Sequence, residues 1–124
     1  MIRGLGTDIV NVGRIAKAAV RPGFVERVLT PTERAAAENA PSAEFIAGRW
    51  AAKEAFSKAL GCGISGDCSF QDVEIIDDES GAPNLTCSGN AAARMLKLGA
   101  DAVWVSISHE RDYATATVIL EGNK

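Results

Sequence analysis

FIAGRWAAKEAFSKALGCG, residues 45–63, is the stretch on which the fold turns. Every residue from Arg49 to Leu60 is tolerable in a helix, and Gly61 and Gly63 then stop it. On a helix, Ala47, Ala51, Ala55 and Ala59 fall at i, i+4 spacing and form one stripe of small side chains. Such a stripe lets another element approach closely. Phe45, Ala52, Phe56 and Ala59 make a neighbouring apolar row. The remaining surface carries two charged pairs at i, i+4: Arg49 with Lys53, and Glu54 with Lys58.

Working outward, Ile2 to Val10 reads as a strand with glycines at 4 and 6, and Asn11 caps a helix to about Val20. Arg21-Pro22-Gly23 breaks it. Phe24 to Leu29 is a short helical segment. Thr30, Pro31 and Glu33 have the spacing of a capping box. Pro41 or Ser42 restarts helix, and the long one runs from Ala43 to Leu60. Downstream, Gly61, Gly63 and Gly66 make a flexible loop, Phe70 to Ile76 a strand, and residues 78–81 a turn. Pro83 to Cys87 pairs back as a hairpin, and Ser88 caps a helix to Leu98 closed by Gly99. Ala102 to His109 and Tyr113 to Leu120 are strands joined by Glu110-Arg111-Asp112. Hairpin links favour antiparallel pairing, so the expected class is α+β, an antiparallel sheet packed with a long central helix.

At 124 residues the default is one domain, residues 1–124. A chain of this size buries roughly 65% of its unfolded surface, enough for one modest core. No apolar run approaches the ~20 residues of a membrane span. The N-terminus lacks a signal-peptide pattern, so the expectation is a chain that begins near Met1 and stays in the cytoplasm. Cys62, Cys68 and Cys87 lack metal-ligand spacing and read as free thiols. Net charge is −3, but Met1 to Arg34 holds six basic and three acidic residues, while Ser65 to Asn90 holds six acidic and none basic. An acidic protein with a basic front is a poor nucleic-acid binder and suits a small acidic partner.

By spacing, Glu54 and Lys58 form an ordinary helix-surface ion pair. Arg49 and Lys53 do not fit that bland reading, because like charges at i, i+4 repel. A bound anion reverses the sign. Cations beside one carboxylate, next to the glycine loop of Gly61 and Gly63, suit a polyphosphate held with a divalent metal. Mg²⁺ takes one or two carboxylates and further oxygens from substrate phosphates. Glu54 is one candidate ligand. Asp8, in an otherwise apolar strand, is another, since a charge there is costly unless paired or metal-bound. The alternative for Asp8 is a surface position. The chain's one histidine, His109, sits at a strand end, where site residues are frequent.

GLGTDIV (4–10) with Arg14 following, FIAGRWAAKEAFSKALGCGI (45–64), SFQDVEI (69–75) and VSISHERDYATATVILE (105–121) together resemble one family. It is the holo-[acyl-carrier-protein] synthases, the short class of 4′-phosphopantetheinyl transferases. The resemblance implies that fold and a reaction of fatty acid biosynthesis and lipid metabolism. In it, 4′-phosphopantetheine moves from coenzyme A to a serine of apo-acyl carrier protein, releasing adenosine 3′,5′-bisphosphate. It implies Mg²⁺ held by Asp8 and Glu54, phosphates met by Arg49 and Lys58, and Ser108 and His109 near coenzyme A. The serine proton acceptor stays open between Glu54, a metal-bound water and His109. The loop that is commonly G-T-G in that family reads Gly61-Cys62-Gly63 here, and Trp50 stands where Phe is common.

An acidic carrier gives the basic face a role. Arg14, Lys17 and Arg21 share a helix face, with Phe24 and Arg27 following. The resemblance further implies a homotrimer with sites between subunits. Patterning agrees, since Trp104 takes the opposite parity to Val103 and Val105, leaving apolar groups on both faces of one strand. Two rivals stand beside this reading. One is another Mg²⁺-dependent enzyme handling nucleotide phosphates, disfavoured because neither G-x-x-x-x-G-K-[ST] nor a strand-led G-x-G-x-x-G occurs. The other is a non-catalytic module that binds coenzyme A or the carrier, which would not need the paired carboxylates.

Overall fold

The computed structural model of the chain describes residues 1–123. Its elements are β1 (Ile2–Asn11), α1 (Val12–Ala19), α2 (Phe24–Val28), α3 (Pro31–Ala36), α4 (Ala43–Ala59), β2 (Val73–Asp77), β3 (Pro83–Cys87), α5 (Gly89–Leu98), β4 (Ala102–His109) and β5 (Tyr113–Glu121). β1, β5 and β4 form an antiparallel sheet in that order, and β2 and β3 form a separate antiparallel hairpin. The class is α+β, as the element order implies.

Local chemistry sets the helix starts. The Asn11 side chain accepts from the Arg14 N–H, and the Ser42 side chain from the Phe45 N–H. Thr30 and Glu33 close the capping box in both directions. Gly61 and Gly63, at φ 81° and 72°, end α4 in a conformation that other residues resist. One expected strand is shorter than the sequence implies. Phe70–Asp72 is a 3₁₀ turn, because the Asp72 carboxylate reaches back to the Ser69 N–H and bends the backbone before Val73. Ser88 stands at the start of α5 but makes no side-chain cap bond.

The alanine stripe of α4 packs against β1. A Cβ at Gly4 would lie 2.2 Å from the Ala59 carbonyl oxygen, and one at Gly6 would lie 1.9 Å from that of Ala55. Only glycine permits this approach. Eleven of the seventeen residues of α4 are buried, so the helix is enclosed by sheet on one side and by α1 and α2 on another, with Lys53 and Arg49 reaching α3 and β2.

Charge is also enclosed. Lys53 and Glu33 are fully buried and paired at 2.7 Å. The Lys53 ammonium also donates to the carbonyls of Val28, at 2.7 Å, and Phe70, at 3.0 Å. Three acceptors match its three N–H bonds. Glu33 accepts in addition from the backbone N–H of Thr30 and of Ile75, both at 2.8 Å. The network ties α2, α3, α4, the 3₁₀ turn and β2 to one point. Burial pushes the Lys53 ammonium down from its ordinary value, and Glu33 opposes that push.

Removing one partner strands the other in a dry site. Lys53→Met should therefore destabilise by about 3–5 kcal/mol. The check is urea unfolding, where the midpoint should fall. The double variant Glu33→Leu/Lys53→Met should recover part of the loss. A single variant within 1 kcal/mol of the parent, by the same linear extrapolation, would remove this pair from its structural role.

Candidate active site

Residues 4, 6, 8 and 10 of β1 alternate onto the α4 side of the sheet. Two close glycine contacts therefore bring the next residue of that face, Asp8, onto the helix. The Lys58 ammonium donates to Asp8 Oδ1 and to the Thr7 carbonyl, both at 3.1 Å. The ion pair is with Asp8, not with Glu54 as the helical spacing implies. Glu54 lies one turn earlier on α4. Burial first, and the Asp8 charge second, raise its carboxyl above the ordinary range, against the pull of Lys58, Arg14 and Arg27. Asp8, Glu54 and Lys58 thus form one cluster at the β1 edge.

The other expected site residues gather elsewhere. Arg49 is 8% exposed. Its guanidinium lies 4.4 Å from the centre of the Phe45 ring and pairs with Asp77 at 3.2 Å. These residues, with Gly48, Ile107 and His109, line a cavity of about 380 Å³. Ser108 and His109 also line a second cavity, of about 350 Å³, with Ile9, Tyr113 and Thr115. Both cavities reach to β4. The charged groups divide between the two edges of the three-stranded sheet, Asp8 on β1 and His109 on β4, while the second cavity crosses the outer face to Ile9.

Lys53 is a correction. The like-charge spacing with Arg49 suggests an anion between them, but Lys53 points into the core and Glu33 supplies its counter-charge. It cannot reach a ligand at the surface. Gly61 and Gly63 close the end of α4, donating to the carbonyls of Lys58, at 2.9 Å, and Ser57, at 3.2 Å. Asp77 escapes a reading by motif, and Phe45, within the quoted stretch, reads there only as part of an apolar row. Asp77 falls within the acidic run of residues 65–90, which by itself reports only charge.

Arg14, Arg21, Phe24 and Arg27 line one cavity of about 300 Å³ with Ala18 and Trp50. Lys17 is exposed on the same helix outside it. Trp50 stacks on Phe24 at 5.8 Å between ring centres and on Phe70 at 4.9 Å, so the larger ring fastens α2 to α4. The three thiols are free, and burial pushes that of Cys68 up to about 12. Cys62 donates weakly to the Ser57 carbonyl at 3.7 Å.

Two carboxylates without a third fit a particular kind of ion. Among the described residues no group of three or more His, Cys, Asp and Glu side chains could hold a metal. Asp8 and Glu54 offer hard oxygens only, and their mutual repulsion is relieved by a cation. That donor set suits Mg²⁺, which completes its shell with water and substrate oxygens.

The profile of the 4′-phosphopantetheinyl transferase superfamily matches residues 4–118. A holo-[acyl-carrier-protein] synthase of Solidesulfovibrio magneticus is 51% identical, over 98% of this chain and 100% of the relative. One of Geobacillus kaustophilus is 49% identical, over 98% and 90%. Among solved structures, the holo-(acyl-carrier-protein) synthase of Bacillus anthracis in complex with coenzyme A (3′,5′-ADP) superposes with a TM-score of 0.84. It is 41% identical and covers 99% of both chains. That of Helicobacter pylori in complex with coenzyme A gives 0.83 at 36% identity, over 94% of this chain and 99% of the other.

The raised carboxyl of Glu54 has a sign that can be tested. A folded-state value above the ordinary 4.5 means that ionised Glu54 costs stability. The cost is absent while the group is protonated in both states and grows as pH rises from the ordinary value through the raised one. In chelator, Glu54→Gln should melt higher than the parent at pH 7, and the gap should close below about pH 4. A parent that melts higher at pH 7 would contradict this electrostatic account.

Proposed function

Because the chain belongs to the 4′-phosphopantetheinyl transferase superfamily and is a phosphopantetheinyl transferase of the holo-[acyl-carrier-protein] synthase kind, we propose that it moves 4′-phosphopantetheine from coenzyme A to a serine hydroxyl of an apo-acyl carrier protein. The reading extends to fatty acid biosynthesis and lipid metabolism in the cytoplasm, by one catalytic domain spanning residues 1–124. Among the described residues no helix is long and apolar enough to cross a membrane. The observation that carries the reading is the Asp8–Glu54–Lys58 cluster, paired carboxylates beside a cation where β1 meets α4.

The serine oxygen forms a bond to the β-phosphorus of coenzyme A, the bond to the bridging oxygen breaks, and adenosine 3′,5′-bisphosphate leaves. Charge builds on the phosphoryl oxygens, so positioning and electrostatics supply most of the rate. Asp8 and Glu54 would hold Mg²⁺, which when bound neutralises charge on the pyrophosphate. Lys58 contributes a point charge, and Arg49 grips a phosphate in two directions at once. His109 lines the Arg49 cavity and shares a second one with Ser108, where the rest of the donor would lie. Glu54 and His109 are the chain's own candidates to receive the serine proton. Gly61 and Gly63, which follow Lys58 at the end of α4, would lie beside the phosphates. Arg14, Lys17, Arg21, Phe24 and Arg27 would receive the acidic carrier around an aromatic floor.

Two groups of site residues at opposite sheet edges favour shared sites. The outer face of the sheet supports assembly: Leu5, Ile9 and Trp104 are each at least 60% exposed there, an apolar surface that a second copy would cover. A homotrimer closed about an axis sets the β1 edge of each subunit beside the β4 edge of the next.

Incubation with apo-carrier protein, coenzyme A and Mg²⁺ should add one phosphopantetheine to the carrier, read as a mass increase. Asp8→Ala should lose at least about a hundred-fold in rate, and adding Glu54→Ala should cost little more, since both hold one ion. A carrier of unchanged mass with the parent enzyme ends the proposal.

Assembly is tested by complementation. Glu54→Ala chains and His109→Ala chains, each inactive alone, should regain activity when refolded together. Random mixing leaves about a quarter of the sites intact in a cyclic assembly. Light scattering should report three chains, and an active monomer would refute the shared site.

A further inference from the structure

Arg49 is held in an unusual state for a buried cation. Its Nη2 donates to a single carboxylate oxygen, Asp77 Oδ1, at 3.2 Å. That is long for a charge-assisted bond. Its Nε is buried without a hydrogen-bond partner. A guanidinium presents two forks to a phosphate, and Nη2 belongs to both. Asp77 therefore holds one N–H of the nitrogen that both forks share, while the buried Nε has no partner to hold the plane in place.

The two partners differ in freedom. The Arg49 side chain is 9% exposed and Phe45 covers its guanidinium plane at 4.4 Å, while the Asp77 side chain is 50% exposed. Asp77 ends β2, and the turn after it is fixed by the neighbouring Asp78, which accepts from the N–H of Ser80 and of Ala82. Arg49 cannot follow a departing partner. Asp77 needs only to turn its side chain into water.

We propose that Asp77 is a resident counter-ion that competes with a phosphate of the donor for Arg49, and so sets the affinity for coenzyme A and the release of its bisphosphate product. The inference rests on the donor-site reading given above and adds to it a specificity-determining residue outside the family motifs. A phosphate bearing two oxygens meets Nη1 and Nη2 together, exchanging one long bond for two short ones. The same carboxylate stands ready to reclaim Arg49 when product leaves. Affinity is thereby held below what the cavity alone would give.

Calorimetric titration of the parent and of Asp77→Asn with coenzyme A tests this. The variant should bind about three- to ten-fold more tightly, the range expected for losing one half-exposed competing charge. Adenosine 3′,5′-bisphosphate should inhibit it at correspondingly lower concentration. KM for the carrier should not move, which a general loosening of the fold would not reproduce. Asp77→Ser should behave likewise. In an Arg49→Ala background the substitution should change nothing; a gain that persists there overturns the proposal, as does coenzyme A binding that is unchanged or weaker in Asp77→Asn. Dephospho-coenzyme A separates the two phosphate sources: a gain kept with it assigns Arg49 to the pyrophosphate, and a gain lost assigns it to the 3′-phosphate. A parent that transfers no phosphopantetheine sinks the donor reading itself, whereas a parent that transfers, with an indifferent Asp77→Asn, sinks only this inference.

Discussion

The close seating of β1 on α4 is the constraint from which the rest of the molecule follows. Gly4 and Gly6 press directly on backbone carbonyls of the helix. That contact fixes the separation of strand and helix and the height of one along the other. Asp8 is the next inward position, so its place beside Glu54 and Lys58 follows from glycine geometry rather than from any attraction among charges. The alanines of α4 do the complementary work, because a larger side chain at Ala55 or Ala59 would lift the strand away.

Two ion pairs on the same helix show how burial separates structure from chemistry. Lys53 and Glu33 are saturated: each hydrogen-bonding position that the geometry offers is filled by backbone or by the partner. Nothing is left for a ligand, and the pair serves the fold. Arg49 and Asp77 are unsaturated, with one bond made and a buried donor idle. The difference lies in neighbours, since both cations belong to one helix and are four residues apart. Glu54 belongs with Arg49 in this respect, since its half-buried carboxylate has a like charge near it.

Much of this was legible in the amino-acid sequence, and the failures have a common cause. Caps at Asn11, Thr30 and Ser42 and the stop at Gly61 are local events, written within a few residues of where they act. Asp8 stands out because a charge in an apolar strand needs a reason. Lys53 misleads because helical spacing reports which residues share a face and is silent about what that face meets. Its partner is twenty residues away, already visible as the capping-box Glu33 but with no mark of its second role. Asp77 is hidden for the same reason, as one of several acids in a run whose pairing only the hairpin reveals. The early bend at Phe70–Asp72 is a case of Ser69 and Asp72 outweighing β propensity.

β1 also has an outward face, where Leu5, Thr7 and Ile9 alternate with the residues that meet the helix. Parity along a strand is absolute: sliding by a single residue would turn every inward group out and every outward group in. A mispaired β1 would drive leucine or threonine into carbonyls that tolerate glycine alone, and would send the aspartate away from its cluster. Errors of alignment during folding are consequently all-or-nothing here. A strand displaced by one residue would lose the helix contact and the charged cluster together.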